Sequence, residues 1–142
     1  MGDTRKGCTG DSCPKLALFT AGGMGAGKGH TLKQFMKQGT ISLPRNFIWV
    51  DPDGIARLIP ERQQYLEASP EKASERLHAE AALLAEILAG VAREMNRSLV
   101  MDGSLTDCAW FAKYMDQWHQ AGWTVEVLFV VSVARTTMPT AN

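Results

Sequence analysis

One stretch of this 142-residue chain limits its fold more than any other, and that is the glycine-rich segment over residues 22–29. Five of its eight residues are glycine, so it favours neither a strand nor a helix and predicts a loop. The apolar run over residues 15–21 suits a strand buried on both faces, and residues 30–38 space their apolar side chains as a helix does. A strand, a tight loop and a helix in this order are typical of α/β domains.

The same segment matches the spacing G-x-x-x-x-G-K, from Gly22 to Lys28. Backbone N–H groups of such a loop can surround a phosphate, and the positive end of the following helix points at the same place. Lys28 would add a point charge beside the β- and γ-phosphates of a nucleotide. The three fixed residues match by chance about 0.04 times in a chain of this length. We therefore predict a loop that holds a nucleotide through Gly22, Gly23, Met24, Gly25, Ala26, Gly27, Lys28, Gly29 and His30.

The last position of the motif departs from the usual pattern. A Ser or Thr hydroxyl normally holds Mg²⁺ there, whereas this chain has Gly29, and Thr31 lies about 200° further round the helix. We expect Mg²⁺ to be held through water or by a carboxylate instead. Ras-type GTPases read their base with an N-K-x-D segment, and no Lys-x-Asp occurs in this chain. The expected cofactors are therefore ATP and Mg²⁺.

Strands and helices alternate along the rest of the chain, which predicts a parallel sheet flanked by helices. The predicted strands cover residues 15–21, 47–50, 98–101 and 124–132, and the predicted helices cover residues 30–38, 54–59, 69–95 and 106–120. In the long helix, one apolar stripe is predicted from Ala73, Leu77, Ala81, Leu84, Leu88, Val91 and Met95. We expect a single domain over residues 15–133, with a flexible tail over residues 1–14 and an unstructured tail over residues 134–142.

Acidic residues follow the second and third predicted strands, where ligands of parallel sheets bind. Asp51 and Asp53 come after the second strand, and either could take the proton of a hydroxyl that accepts a phosphoryl group. A turn or helix cap would also account for one of the two. Asp102 comes after the third strand, where an acid could orient Mg²⁺ or substrate, or could cap the next helix.

Histidines and aromatic residues favour simpler interpretations. His30, His78 and His119 lack metal-ligand spacing and fit solvated helix positions, so no residue is predicted as a direct metal ligand. Trp110, Phe111, Tyr114 and Trp118 share a helical face, which favours core packing over base stacking.

Charge and composition exclude several classes of protein. Fifteen basic and fifteen acidic residues give no net charge, which argues against a general nucleic-acid or membrane-surface binder. No apolar run approaches the roughly 18 residues of a membrane helix. Cys8, Cys13 and Cys108 are spaced for neither a disulfide framework nor a zinc site, so we expect a cytoplasmic protein.

Taken in order, the Gly22-to-Lys28 loop, Val50-Asp51-Pro52-Asp53 and Val100-Met101-Asp102-Gly103-Ser104-Leu105 resemble the zeta toxin family of P-loop kinases. The resemblance implies a sheet of order 2-3-1-4 and transfer of a phosphoryl group from ATP, with Mg²⁺, to a hydroxyl of a small molecule. In the toxins the acceptor is a UDP-N-acetylhexosamine. By position, Lys28 and Asp53 match the phosphate lysine and the general base. Asp51, Asp102 and Ser104 would then lie at the substrate, with Thr106 where the family often has Arg.

Family members continue beyond the fourth strand into a lid with arginines, whereas this sequence stops soon after Val133, so we expect that the C-terminal part of the domain is missing. Three functional interpretations stay open. The first is a small-molecule kinase of zeta-toxin type, the second is an incomplete nucleotide-binding module that needs a protein partner, and the third is a kinase of another P-loop family.

Overall fold

A computed structural model describes residues 14–23 and 25–132. Its strands are β1 (Leu16–Ala21), β2 (Ile48–Val50), β3 (Leu99–Asp102) and β4 (Thr124–Phe129). Its helices are α1 (Lys28–Gln38), α2 (Pro52–Leu58), α3 (Arg62–Ala68), α4 (Pro70–Glu94) and α5 (Cys108–Gln120). Met24 and nearly all of the two predicted tails, 1–14 and 134–142, lie outside the described residues.

The strands form one parallel sheet in the order β2-β3-β1-β4. The predicted α/β class and the sheet order implied by the family resemblance are both confirmed. All six residues of β1 are buried, because β1 has a strand on each side and helices on each face.

Alternate side chains of β1 face the two helical layers, as the pleat of a strand requires. Ala17 and Phe19 pack in the cluster that includes Ala89 of α4 and Trp118 of α5. Leu18 packs in the opposite cluster with Leu32 of α1. The sheet thus has α4 and α5 on one face and α1 on the other.

The predicted apolar stripe of α4 is correct at its start and wrong after Ala81. The buried positions are Ala73, Leu77, Ala81, Ala85, Ala89 and Ala92. Leu84, Leu88, Val91 and Met95, which we expected in the core, are instead 40–54% exposed. Residues 81–95 contain apolar side chains on more than one face, so helical spacing alone does not define the buried one. The small alanine side chains, rather than the leucines, face the sheet.

Several boundaries also differ from the predictions, two of them for a reason that the structure shows. Helix α1 begins at Lys28 rather than at residue 30, because Gly27 takes a left-handed conformation at its N-cap and its carbonyl accepts from Thr31 N at 2.9 Å. Strand β4 ends at Phe129 rather than at residue 132, because its partner β1 ends at Ala21. Helix α3 was not predicted at all. None of the helices in the described ranges is long and apolar enough to cross a membrane.

Candidate functional site

A cavity of about 500 Å³ lies at the carboxyl ends of the central strands. The glycine-rich loop that follows β1 lines it, and so do the segments that follow β2 and β3. Side chains of α4 and α5 form the remaining wall. Parallel strands bring these separate segments to one edge of the sheet.

Backbone geometry explains the glycines of the loop. Gly22 has a φ of 142°, and a Cβ there would lie only 2.3 Å from the carbonyl oxygen of Val130. Gly27 has a φ of 80° and leads directly into α1. Lys28 Nζ donates to the carbonyl oxygens of Gly22 and Gly23 at 3.0 and 3.1 Å. The strand, loop and helix predicted from the sequence are therefore present, with the lysine ammonium against the loop.

Not every residue predicted to hold the nucleotide lines the cavity. Gly25, Gly27, Lys28 and Gly29 do so, whereas Gly22, Gly23 and Ala26 do not. His30 is exposed in the first turn of α1 and is not among the lining residues.

The carboxylate of Asp102 is fixed on one side and free toward the loop. Thr20, which is completely buried, donates from Oγ1 to Asp102 Oδ1 at 2.7 Å and accepts from Gly103 N at 3.1 Å. Asp102 Oδ2 lies 3.3 Å from the position that a Cβ on Gly29 would take. A carboxylate oxygen therefore stands beside the position where the motif normally carries its hydroxyl.

The alternative that Asp102 caps the next helix is wrong. Asp107 is the N-cap of α5, and its carboxylate accepts from Trp110 N at 3.0 Å. Ser104, predicted at the substrate, is exposed and lines the cavity.

The two acids after β2 occupy different positions. Asp51 is the N-cap of α2, where its carbonyl oxygen accepts from Ile55 N at 2.9 Å. Its carboxylate Oδ2 lies 2.8 Å from the position that a Cβ on Gly54 would take. Asp53 lies in the first turn of α2, is exposed and lines the cavity. Asp51 thus occupies the N-cap position, although its carboxylate makes no capping hydrogen bond there, whereas Asp53 lies inside the helix.

Sequence reasoning missed most of the cavity wall that α4 and α5 provide. His78 and Glu86 of α4 line the cavity; His78 is exposed on the helix as expected, but its place at the cavity was not predicted. Trp110 of α5 lines it too and is 38% exposed, although it was expected in the core. The expectation of core packing holds for the buried Trp118. No motif marks these residues, and their placement depends on how each helix is turned about its axis.

The aromatic side chains of α5 form an ordered stack beside the cavity. Trp110 stacks on Tyr114 with ring centroids 4.7 Å apart and an angle of 20°. Phe111 meets Trp110 edge-on at 4.8 Å. Burial raises the pKa of Tyr114, so this phenol stays neutral at ordinary pH. One face of Trp110 is thus covered by Tyr114.

The described residues contain no group of three or more His, Cys, Asp or Glu side chains that could hold a metal ion by themselves. A cation at this cavity would need ligands from a nucleotide or from water, which is how Mg²⁺ is commonly bound beside phosphates.

Comparisons with known proteins agree with this architecture. The family model "Zeta toxin" matches residues 1–138. One similar solved structure comes from a study of the PezAT chromosomal toxin–antitoxin system of Streptococcus pneumoniae. Its TM-score is 0.69 and its identity 18%, and the match covers 83% of this chain and 48% of that one. Another is a "putative kinase" from Chloroflexus aurantiacus, with a TM-score of 0.59, 19% identity, and coverage of 83% and 59%.

These two structures share the fold of this chain, which spans about half of their length. No curated protein matches the chain significantly.

Proposed function

The chain belongs to the zeta toxin family, and on that premise we propose that it transfers the γ-phosphoryl group of ATP to a hydroxyl of a small molecule. Its fold and family are those of kinase-like, nucleotide-binding P-loop proteins. One observation carries the proposal: Lys28, Asp53 and Asp102 come from three separate segments and line the same cavity.

In this proposal the loop binds the phosphates of ATP. Its N–H groups and the N-terminus of α1 face the phosphates, and Lys28 exchanges its bonds to the Gly22 and Gly23 carbonyls for phosphate oxygens. The acceptor oxygen forms a bond to the γ-phosphorus while the bond from that phosphorus to the oxygen bridging to the β-phosphate breaks. Asp53 takes the proton of the acceptor hydroxyl, because it is exposed to the cavity and is not engaged as a helix cap.

Asp102 is the residue that best fits a role toward Mg²⁺. Its Oδ2 lies beside Gly29, and its Oδ1 is fixed by the Thr20 hydroxyl, so the carboxylate is oriented toward the loop. The bound cation would neutralise charge that develops on the phosphoryl oxygens. Asp102 would hold it directly or through water, in place of the hydroxyl that position 29 lacks.

Calorimetric titration with ATP tests the nucleotide site. Lys28→Ala should weaken ATP binding about ten- to a hundredfold, because one charge-assisted phosphate contact is lost. Lys37→Ala is the matched control: Lys37 is exposed in the last turn of the same helix, away from the cavity, and its loss should leave the affinity unchanged. Equal affinities of the Lys28→Ala variant and the parent protein would refute the phosphate-loop assignment.

Product formation tests the transfer step. Incubation with γ-labelled ATP and a panel of hydroxyl compounds, including nucleotide sugars and amino sugars, should yield a labelled product that depends on Lys28. ATP binding without any transfer would favour the alternative of a nucleotide-binding module that needs a partner or a further segment.

A further inference from the structure

One apolar stripe runs along most of α4, but only its first half is covered. In that half, Leu77 and Ala81 are buried against side chains of α2 and α3 such as Ile55 and Tyr65. In the second half, the stripe continues through residues that are 40–54% exposed, namely Leu84, Leu88, Val91 and Met95. At 3.6 residues per turn, the six stripe positions fall within about 80° of the helix circumference. Among the residues that the structure describes, the layer formed by α2 and α3 therefore stops halfway along the stripe.

The uncovered half of the stripe belongs to a larger apolar patch. Leu83 and Ile87 lie beside it and are 59% and 53% exposed. Between residues 82 and 92 the one charged side chain is that of Glu86, which lines the cavity and lies about 200° around the helix from Leu84 and Leu88. Charged residues are depleted at the centres of protein interfaces, and exposed apolar patches mark interaction sites. We call this surface the outer patch, which consists of Leu83, Leu84, Ile87, Leu88, Val91 and Met95.

A glycine lies at the edge of the outer patch. Gly90 follows Ile87 by three residues and Leu83 by seven, so it borders both on the helix surface. A Cβ at this position would meet no atom within 4 Å, and no packing within the described residues requires a glycine there. Glycine inside a helix is less favourable than alanine. A second helix could approach α4 closely at this point, because no side chain separates the two backbones.

From these observations we propose that the outer patch joins two copies of this chain, with the second halves of their α4 helices packed antiparallel about a two-fold axis. The second copy would continue along α4 the layer that α2 and α3 begin. Apolar residues spaced by four, three and four along one helix can interdigitate with the same residues of another.

Two properties of the chain favour a second copy as the occupant. The chain has no net charge, so two copies would not repel each other, and closed two-fold dimers are the commonest homo-oligomers. The cavity lies on the other side of α4, where Glu86 lines it, so the dimer would leave the cavity open. The inference is therefore independent of the proposed kinase function, and its test needs no ATP.

Sedimentation velocity of the 142-residue chain tests the inference. We expect a monomer–dimer equilibrium in the micromolar range, because a patch on one helix is small for a stable interface. Leu88→Glu should weaken association about tenfold or more, because it places a carboxylate in the middle of the apolar contact. Val127→Glu is the matched control, since Val127 is 50% exposed on β4 and should leave association unchanged. A parent chain that stays monomeric up to millimolar concentration would leave the outer patch to a different protein and overturn the inference. Dissociation by Val127→Glu but not by Leu88→Glu would place the contact at β4 and overturn it too.

A mixture of two variants tests the two-fold arrangement. A two-fold axis near the middle of the outer patch brings residue 88 of one copy close to residue 88 of the other. Leu88→Glu and Leu88→Lys should each be monomeric alone, whereas an equal mixture should form dimers because the opposite charges meet. A mixture that stays monomeric would refute the two-fold contact.

Gly90→Gln separates association from folding. Glutamine is a good helix former and would meet open space within one chain, so the thermal unfolding midpoint of the dilute protein should not fall. Its side chain would hold the two helices apart and should weaken association about threefold or more. Unchanged association of this variant would contradict the close approach of two α4 helices.

Discussion

The two sides of the cavity are built in different ways. The phosphate loop is one continuous segment whose backbone conformation is set by glycines, and a single side chain, that of Lys28, is added to it. The wall consists of the other lining side chains, which come from the end of β3 and from α2, α4 and α5, and two of them, Asp53 and Trp110, are far apart in the sequence. A site made of local backbone can be identified from neighbouring residues. A site made of distant side chains depends on the packing of every element that carries them.

Because of this difference, substitutions on the wall should alter chemistry and substrate choice with little effect on folding, whereas substitutions in the loop should alter folding or nucleotide binding. The following predictions test that distinction, in order of decreasing effect.

Replacing the proposed general base should have the largest effect, which should fall on turnover and leave the ATP binding of the loop intact. Asp53→Asn is expected to lower turnover about 10²- to 10⁴-fold, because the amide cannot accept the proton of the hydroxyl. Calorimetry should show nearly unchanged ATP affinity, since Asp53 is proposed to face the acceptor. Asp51→Asn is the comparison, and if it causes the larger loss of turnover, the roles of the two acids must be exchanged.

A methyl group added at Gly22, on the loop side of the cavity, should destabilise the folded protein. Ala at this position would place its Cβ 2.3 Å from the Val130 carbonyl oxygen and would have to adopt a φ of 142°. We expect Gly22→Ala to lower the free energy of unfolding by about 2–4 kcal/mol, measured by urea denaturation. Gly23→Ala is the control, since a Cβ there meets no atom within 4 Å. Equal stabilities of these two variants would contradict the close approach to Val130.

The buried hydroxyl of Thr20 connects the two sides of the cavity. Thr20→Val keeps the shape of the side chain but removes the donor to Asp102 and the acceptor for Gly103 N. We expect a loss of about 1–3 kcal/mol in the free energy of unfolding and weaker ATP binding in the presence of Mg²⁺. Thr124→Val, at an exposed position of β4, should change neither quantity. If Mg²⁺ strengthens ATP binding by Thr20→Val as much as it does in the parent protein, the result would argue against a metal role for Asp102.

Restoring the missing hydroxyl should have the smallest effect. Gly29→Ser places a hydroxyl beside Asp102, whose side chain must shift slightly because a Cβ at position 29 lies 3.3 Å from its Oδ2. We expect the Mg²⁺-dependent affinity for ATP to rise about two- to tenfold. Gly29→Ala adds the same Cβ without the hydroxyl, so an equal rise in both variants would exclude the hydroxyl as the cause.

The sequence was sufficient for the features that local residues determine. The glycine-rich loop, the four strands and the acids at the strand ends were all predicted. Glycine content, apolar runs and turn residues act over a few positions, so they can be recognised in the sequence. The length of β4 was not predicted, because the last paired residue of β4 is set by the end of β1. Helix α3 was missed because Arg62–Ala68 is short, and it contacts α4 through Tyr65, whose hydroxyl donates to Glu80 at 3.0 Å.

The wall of the cavity could not be predicted because the sequence does not show how α4 is rotated about its own axis. Two sets of apolar residues compete for the buried face of this helix, and the expected set was wrong after Ala81. With the leucines placed in the core, His78 and Glu86 could not be assigned to a cavity. The prediction for Trp110 was wrong for a related reason. The other aromatic residues on its face of α5 are packed, whereas Trp110 lies at the exposed end of the aromatic stack.

The buried alanines of α4 also determine the width of the cavity, because they set how closely this helix packs. Ala85 both packs in the core and lines the cavity, and Ala81, Ala89 and Ala92 keep the same helix close to its supports. Each methylene group added at one of these positions would displace the helix, and Glu86 with it, relative to the reacting groups. The range of acceptors could therefore drift during evolution, or be redesigned, through Ala81, Ala89 and Ala92, which do not line the cavity.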